Sequence, residues 1–170
     1  MPGAVVVREE LPSDVQAIER VQRLAFASEE EPRIVNDLRS AGELLLSLVA
    51  VQDGEIVGHI AFSTVTMHLQ ATVAQAIGLG PMAVSPEHQR RGIGTRLIEE
   101  GLVRLRGAGH RVVFVLGHRE YYPRFGFVPA HERGFRWERE APKEAFMVLE
   151  LEPGALLPGP GIVRYRPEIA

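Results

Sequence analysis

The chain has 170 residues, 45% of them hydrophobic and 24% charged, with no cysteine and a formal net charge of −3. That length and balance fit one globular domain with a sizeable core, and the negative net charge argues against a general nucleic-acid binder. The lack of cysteine excludes disulfides, thiolate metal sites and cysteine nucleophiles.

At the amino end, "MPGAVVVREE" lacks the basic and apolar segments of a secretory leader, which makes the cytoplasm the expected location. In "SDVQAIERVQRLAF", Val15, Ile18, Val21, Gln22 and Ala25 fall at helical spacing, with Ser13 or Asp14 as the cap. A second short helix is predicted over 33–41, with Ile34, Leu38 and Ala41 on one face and Gly42 ending it. "LLLSLVAVQDGEIVGHIAFSTVTM" reads as two strands joined by Asp53-Gly54, a strong hairpin signal. Its apolar run is far short of a membrane span, so no membrane contact is expected. A third strand over 73–84 should run antiparallel to the second.

From Gly92 to Arg106 the apolar residues Ile93, Leu97, Ile98, Leu102 and Leu105 keep a helical period, with Glu100 and Arg104 on the other face. Gly107 and Gly109 stop that helix, and "RVVFVLG" predicts a strand buried on both faces. Residues 73–116 then form a parallel βαβ unit with a right-handed crossover. "REYYPRF" reads as a short helix or turn, and a further strand is expected near 146–151. The Pro/Gly-rich stretch 153–170 is expected to be loop or cap. The prediction is a single mixed α/β domain over 1–170, with antiparallel strands first and a parallel pair at the centre.

"HQRRGIGTRL", residues 88–97, carries the chemistry. A Walker A loop would need a Gly-Lys-Ser/Thr ending, and a dinucleotide fingerprint a third glycine where Thr95, Arg96 and Leu97 stand. A short anion cradle at a helix N-terminus fits instead. Amides over Arg90 to Thr95 would point one way, and glycines at 92 and 94 would let a bulky diphosphate approach the backbone. Thr95 adds a hydroxyl and the arginines add positive potential. Taken alone, the same residues equally describe a glycine-softened helix start with solvated arginines.

The flanking residues tip that balance. Gln89-Arg-Arg-Gly92-Ile-Gly94, after a strand ending near Val84-Ser-Pro86, resembles the signature of the GNAT superfamily of N-acetyltransferases. Tyr122-Pro-Arg-Phe-Gly126-Phe127 resembles that family's tyrosine four residues before Gly-Phe. "GLGPMAVSP", "VLGH" and "FMVLELEPGAL" look further like the YhbS-like predicted acetyltransferases, and the resemblance covers nearly the whole chain. It implies an acyl-CoA N-acyltransferase fold, a central and mostly antiparallel mixed sheet with a parallel strand pair at the cofactor cleft, flanked by helices. It also implies acetyl-CoA as cosubstrate. Gln89, Arg90, Arg91, Gly92, Gly94 and Thr95 would then serve the diphosphate, and Met82, Ala83 and Val84 the pantetheine arm.

The implied reaction is attack of a neutral amine on the thioester carbonyl. A backbone N–H near Ala83 is the family-like donor for the developing oxyanion. Tyr122, with a reference pKa of about 10, stays protonated at neutral pH and is the family-like acid for the departing thiolate. Packing on the sheet is its plainer role, and Tyr121 is expected in the core or pocket wall. Among Glu29, Glu30 and Glu31, Glu31 best matches the acid that precedes "LVxxLR" in similar proteins, here "IVNDLR". A first-turn acid complementing the helix dipole explains it equally well. His59, His118 and a water chain are the other routes for the proton. The six histidines are scattered without an i,i+4 pair, so no metal site is expected. "HERGFRWERE", residues 131–140, is expected to be a surface loop or pocket lid. The acceptor is a small-molecule or protein amine, and dimers among similar proteins leave a homodimer open. The competing reading is a CoA-binding sensor or accessory subunit without turnover.

Overall fold

In the computed structural model, residues 3–166 are described, and their periodicities become helices α1 (Val15–Phe26), α2 (Glu30–Ser40) and α3 (Ile93–Gly107). The strands are β1 (Val6–Glu9), β2 (Leu44–Gln52), β3 (Glu55–Leu69), β4 (Val73–Val84) and β5 (Val112–Leu116). Four more follow: β6 (Val128–Pro129), β7 (Phe135–Trp137), β8 (Phe146–Glu150) and β9 (Gly161–Arg164). The first two residues of the leader reading and the last four of the expected tail lie outside the described residues. Among the described residues, no helix is long and apolar enough to cross a membrane.

The chain divides into two units. The first comprises Met1–Phe62 and Gly80–Val103. Here β1 pairs antiparallel with β2, from Val6↔Val51 to Glu9↔Leu48, and the strand order is β1-β2-β3-β4. Ile18 and Val21 of α1 and Val35 of α2 bury against Val49, Ile56, Ala61 and Ala83 of the strands. On α3, Ile93, Leu97 and Ile98 are buried. Two glycines let that helix sit close to β3. A Cβ at Gly58 would stand 3.1 Å from both Ile93 and Leu97, and one at Gly101 would stand 2.5 Å from the Phe62 ring. Glycine inside a helix costs about 1 kcal/mol relative to alanine. The seat on Phe62 is what that cost secures.

Helix α2 starts three residues before the predicted start at Arg33. Pro32 looks like a breaker in the sequence, but it lies in the first turn, where a missing N–H removes no helical bond. Asp14 does stand at the N-cap of α1, but its carboxylate does not cap that helix. It accepts from the Leu11 N–H (2.7 Å) and from Arg8 (2.7 and 3.2 Å).

A polar chain crosses the interior of this unit. The Gln22 amide donates to His59 Nδ1 (2.8 Å), and His59 Nε2 meets Ser47 Oγ (2.8 Å). Ser47 in turn donates to Glu10, which Arg39 clamps at 2.8 and 2.9 Å. Because a carboxylate only accepts, the Ser47 proton faces Glu10, and His59 must supply the proton between itself and Ser47. His59 is therefore the neutral Nε2–H tautomer. Full burial drives its pKa down to about 3, with Arg39 lowering and Glu10 raising it.

The second unit comprises Ser63–Leu79 and Arg104–Ala170. Strands β4 and β5 pair in parallel from Ile77↔Val113 to Leu79↔Val115, as the βαβ pattern predicts. β5 pairs antiparallel with β8, and β8 with β6. Phe114 stacks on Phe146 (5.4 Å between centroids) and tilts against Phe135 (5.8 Å) at the centre of this core.

One expectation is corrected here. The stretch from 153 is not wholly loop: β9 pairs antiparallel with β3, from Thr66↔Arg164 to Leu69↔Gly161, and in parallel with β7. The glycines that suggest a loop serve close packing. A Cβ at Gly161 would stand 2.6 Å from the Phe135 ring, and one at Gly159 would stand 2.9 Å from the carbonyl oxygens of Arg133 and Gly134.

Candidate functional site

β4 ends at Val84, and the chain turns through 85–92 into α3. The turn is braced from within. The Ser85 N–H donates to the Val57 carbonyl (2.9 Å), Ser85 Oγ meets His88 Nδ1 (2.7 Å), and the Gln89 side-chain amide donates to the Val84 carbonyl (3.0 Å). Gln89 thus holds the end of β4. Beyond it, Arg90 (φ 65°) and Gly92 (φ 80°) both adopt left-handed backbone. For a non-glycine residue this costs about 1–2 kcal/mol, so the braced turn holds Arg90 against its own preference.

Arg90, Arg91 and Gly92 are exposed, Gly94 and Thr95 are half-buried, and Ile93 is buried beneath them. The Arg96 N–H reaches the Gly92 carbonyl (3.1 Å), which marks the first turn of a fifteen-residue helix. Amides earlier in that turn have no carbonyl four residues back within the helix, and the aligned peptide dipoles favour an anion there. A Cβ at Gly92 would meet nothing within 4 Å, so the space above this turn is open to a bulky group. Along the end of β4, Ala83 is buried in the core, while Met82 and Val84 are half-buried.

The three consecutive glutamates separate clearly. Glu29 is exposed and paired with Arg23 (2.5 Å), and Glu30 is exposed. Glu31 is half-buried, with Oε1 shielded from solvent and without a hydrogen-bond partner among the described residues. A buried carboxylate oxygen left unpaired is costly, so this atom is poised to receive a donor. His59, the alternative base, is wholly buried with both ring nitrogens engaged, which removes it from reach of an acceptor. His118 is exposed after β5, and its carbonyl accepts from the N–H groups of Tyr121 (3.0 Å) and Tyr122 (3.3 Å).

Those bonds start the turn that carries Tyr122. Its ring lies on Gly117, where any Cβ would overlap it, and edge-on to Tyr121 (5.2 Å) and Phe127 (5.7 Å). Gly126, left-handed at φ 99°, closes the turn through its N–H to the Pro123 carbonyl (3.0 Å). Tyr122 is 7% exposed, and burial pushes its phenol up to about 12, with Tyr121 adding to the effect. Such a phenol holds its proton across the physiological range and donates to a stronger base. Tyr121 is half-buried under the Arg124 guanidinium, 4.5 Å from its ring centre.

Residues 131–146 border a 610 Å³ cavity walled by Phe135, Trp137, Pro142 and Phe146, with Arg136 and Arg139 among its charged residues. The "HERGFRWERE" segment therefore lines a pocket. Sequence reasoning missed the Gly117 seat of Tyr122; its only trace is a glycine directly after the buried β5 run.

A model of the acetyltransferase (GNAT) domain matches residues 7–130. The chain belongs to the GNAT acetyltransferase family. It is 36% identical over 162 residues to the uncharacterized N-acetyltransferase YhbS of Escherichia coli K12, spanning 95% of this chain and 96% of that protein. The crystal structure of E. coli YhbS in complex with CoA matches at a TM-score of 0.90 and 35% identity, covering 96% of this chain and 91% of that one. A GNAT family acetyltransferase from Brucella melitensis in complex with acetyl-CoA matches at a TM-score of 0.79 and 37% identity, covering 98% and 99%. The fold of this GNAT chain is accordingly mixed α/β, mostly antiparallel, with the β4–β5 parallel pair and flanking helices.

Proposed function

We propose that this GNAT chain, one acetyltransferase domain over 1–170 working in the cytoplasm, transfers the acetyl group of acetyl-CoA to a primary amine. The observation that carries the reading is the braced turn from Gln89 to Thr95. It exposes Arg90 and Arg91, holds two left-handed residues, and leaves open space over Gly92 at the start of α3. An N-terminal helix turn of this kind suits a diphosphate. The two relatives above hold CoA and acetyl-CoA.

In this reading the amides and side chains of Arg90, Arg91, Gly92, Gly94 and Thr95 bind the diphosphate, with Gln89 keeping the turn in shape. Met82, Ala83 and Val84 pair with the pantetheine arm, and a backbone N–H near Ala83 stabilises the carbonyl oxygen as it gains charge. Glu31 takes the proton of the incoming ammonium through its unpaired oxygen. The amine nitrogen forms the new C–N bond, the C–S bond breaks, the thiolate receives the Tyr122 proton, and the second proton leaving the nitrogen restores the phenol. The raised Tyr122 pKa keeps the phenol protonated at neutral pH, so its O–H is in place to hydrogen-bond the sulfur as charge builds on it.

The test is a thiol-release assay with acetyl-CoA against small amines, amino-acid derivatives and peptides. Release on at least one amine, with matching N-acetylated product by mass spectrometry, is the expected result. Coenzyme binding without release on any acceptor would favour the sensor reading instead.

A further inference from the structure

Two buried donors near the carboxyl end have no acceptor among the described residues. The Trp137 indole N–H, on β7, and the Tyr165 hydroxyl, just after β9, are both shielded from solvent and make no hydrogen bond there. Their rings meet edge to face with centroids 6.1 Å apart, because β7 and β9 pair in parallel with Trp137 opposite Val163. Tyr165 also lies against Gly78 of β4, where a Cβ would stand 2.9 Å from its ring. Its backbone N–H is held by Glu138 (3.3 Å). The ring is thus fixed by packing while its hydroxyl is left without a partner. Burial lifts the Tyr165 phenol above the usual tyrosine value, and the nearby Tyr122 phenol adds to the rise.

An unpaired buried donor costs the full desolvation of the group, and two on rings in contact are not an economical way to build a core. Apolar side chains of the same shape would be cheaper. The arrangement makes sense if a ligand completes it. An indole N–H only donates, and a phenol bound beside it is free to donate as well, so the missing partner is an acceptor of hydrogen bonds. Trp137 also lines the 610 Å³ cavity, where Arg139 stands 5.7 Å over its ring centre. Arg136 and Lys143 border the same cavity.

We propose that Trp137 and Tyr165 recognise the acceptor, holding with their N–H and O–H an oxygen-bearing group, a carbonyl or carboxylate, carried near the reacting amine. The inference rests on the acetyl-transfer reading and names its substrate class: amino-acid-like or peptide-like amines rather than oxygen-free polyamines. A polyamine in its protonated form offers only donors and leaves both groups unpaired. Tyr165 is a positioning residue here, with the chemistry assigned elsewhere.

Trp137 is the chain's one tryptophan, so its fluorescence reports binding at this position without any turnover. Amino-acid amides, short peptides and polyamines of matched length are titrated against the full chain, followed by kcat/KM for each with acetyl-CoA. The expected result is a saturable change in Trp137 emission with the carbonyl-bearing amines only. In Tyr165→Phe, kcat/KM should fall about tenfold for those amines, the loss of one good hydrogen bond. It should stay unchanged for an oxygen-free alkylamine, with the KM for acetyl-CoA also unchanged. Because the variant deletes an unpaired group, its Tm should equal or exceed that of the wild type. Equal losses on both amine classes, a lowered Tm or preference for polyamines would overturn the proposal. Emission changes with carbonyl-bearing amines but no thiol release would leave this recognition standing and remove the acetyl-transfer reading. Thiol release without any emission change would do the reverse.

Discussion

The Tyr122 ring rests directly on Gly117, with no room between them for a single methyl group. β5 delivers Gly117 at its end, and the Gly117 N–H is tied to the Ala145 carbonyl (2.9 Å), so the seat is fixed. A substitution at 117 therefore acts on Tyr122. Gly117→Ala should displace the phenol and lower kcat while leaving coenzyme affinity unchanged. Tyr122→Phe should lower kcat about a hundredfold or more, the usual contribution of a positioned acid. The double variant should be no worse than Tyr122→Phe alone. Steady-state kinetics on the three proteins checks this; additive losses would mean that Gly117 acts through something other than the ring.

The pH profile follows from the direction of the Tyr122 shift. With its pKa pushed up to about 12, loss of the Tyr122 proton should not depress activity anywhere below pH 10. The rising limb belongs instead to deprotonation of the amine. Glu31→Gln should lower kcat/KM at neutral pH, and the deficit should shrink as pH nears the amine's own pKa, about 10.4 for an alkylamine. At that pH the amine sheds its proton without help. A deficit that stays constant from pH 7 to pH 10 would show that Glu31 binds the acceptor without taking its proton.

The buried chain through His59 predicts how the protein yields to acid. His59 is neutral in the folded state, with a pKa of about 3, while its unfolded counterpart, at the ordinary histidine value of 6.5, gains a proton below that pH. The unfolded state therefore binds more protons between those values, and stability falls as pH falls, by about 1.4 kcal/mol per pH unit for one site. Glu10 adds to the loss only lower down. Burial alone would raise its pKa, but hydrogen bonds from Arg39 and Ser47 outweigh burial and hold it below 4.5. The upper part of that range, from pH 6.5 to about 5.5, thus isolates His59 from Glu10. Urea unfolding in that window should show a slope that is absent in His59→Gln, whatever that variant costs at neutral pH.

The centre of the fold was legible because its signals were dense. The α3 period from Ile93 to Leu105 and the β-branched run of β5 fixed a strand, helix and strand, and the structure pairs β4 with β5 as expected. The Gln89 to Gly94 motif was legible as a helix-opening turn, since glycine and arginine at that spacing limit what else the turn can be. His59, one of the alternative bases that the sequence offers in "GHIAF", is excluded by its burial. Eight consecutive residues of β3, Ile56–Ser63, are buried. Such a run on a long strand marks both faces as covered, a stronger clue than the presence of a titratable ring. β9 was hidden because Gly159 and Gly161 make close approaches that composition alone reads as loop. The pairs Tyr122–Gly117 and Tyr165–Gly78 are meetings of residues far apart or ordinary in sequence, and only the folded backbone reveals them.

The central claim is that the turn from Gln89 to Thr95 holds the coenzyme diphosphate, and calorimetric titration of the wild type and Gly92→Val with acetyl-CoA tests it most directly. A side chain at 92 would fill the space above the turn and would have to adopt a left-handed backbone at φ 80°. The account predicts micromolar binding by the wild type and at least tenfold weaker binding by a variant that remains folded by circular dichroism. Equal affinity in the two proteins, or no binding by the wild type, would contradict it.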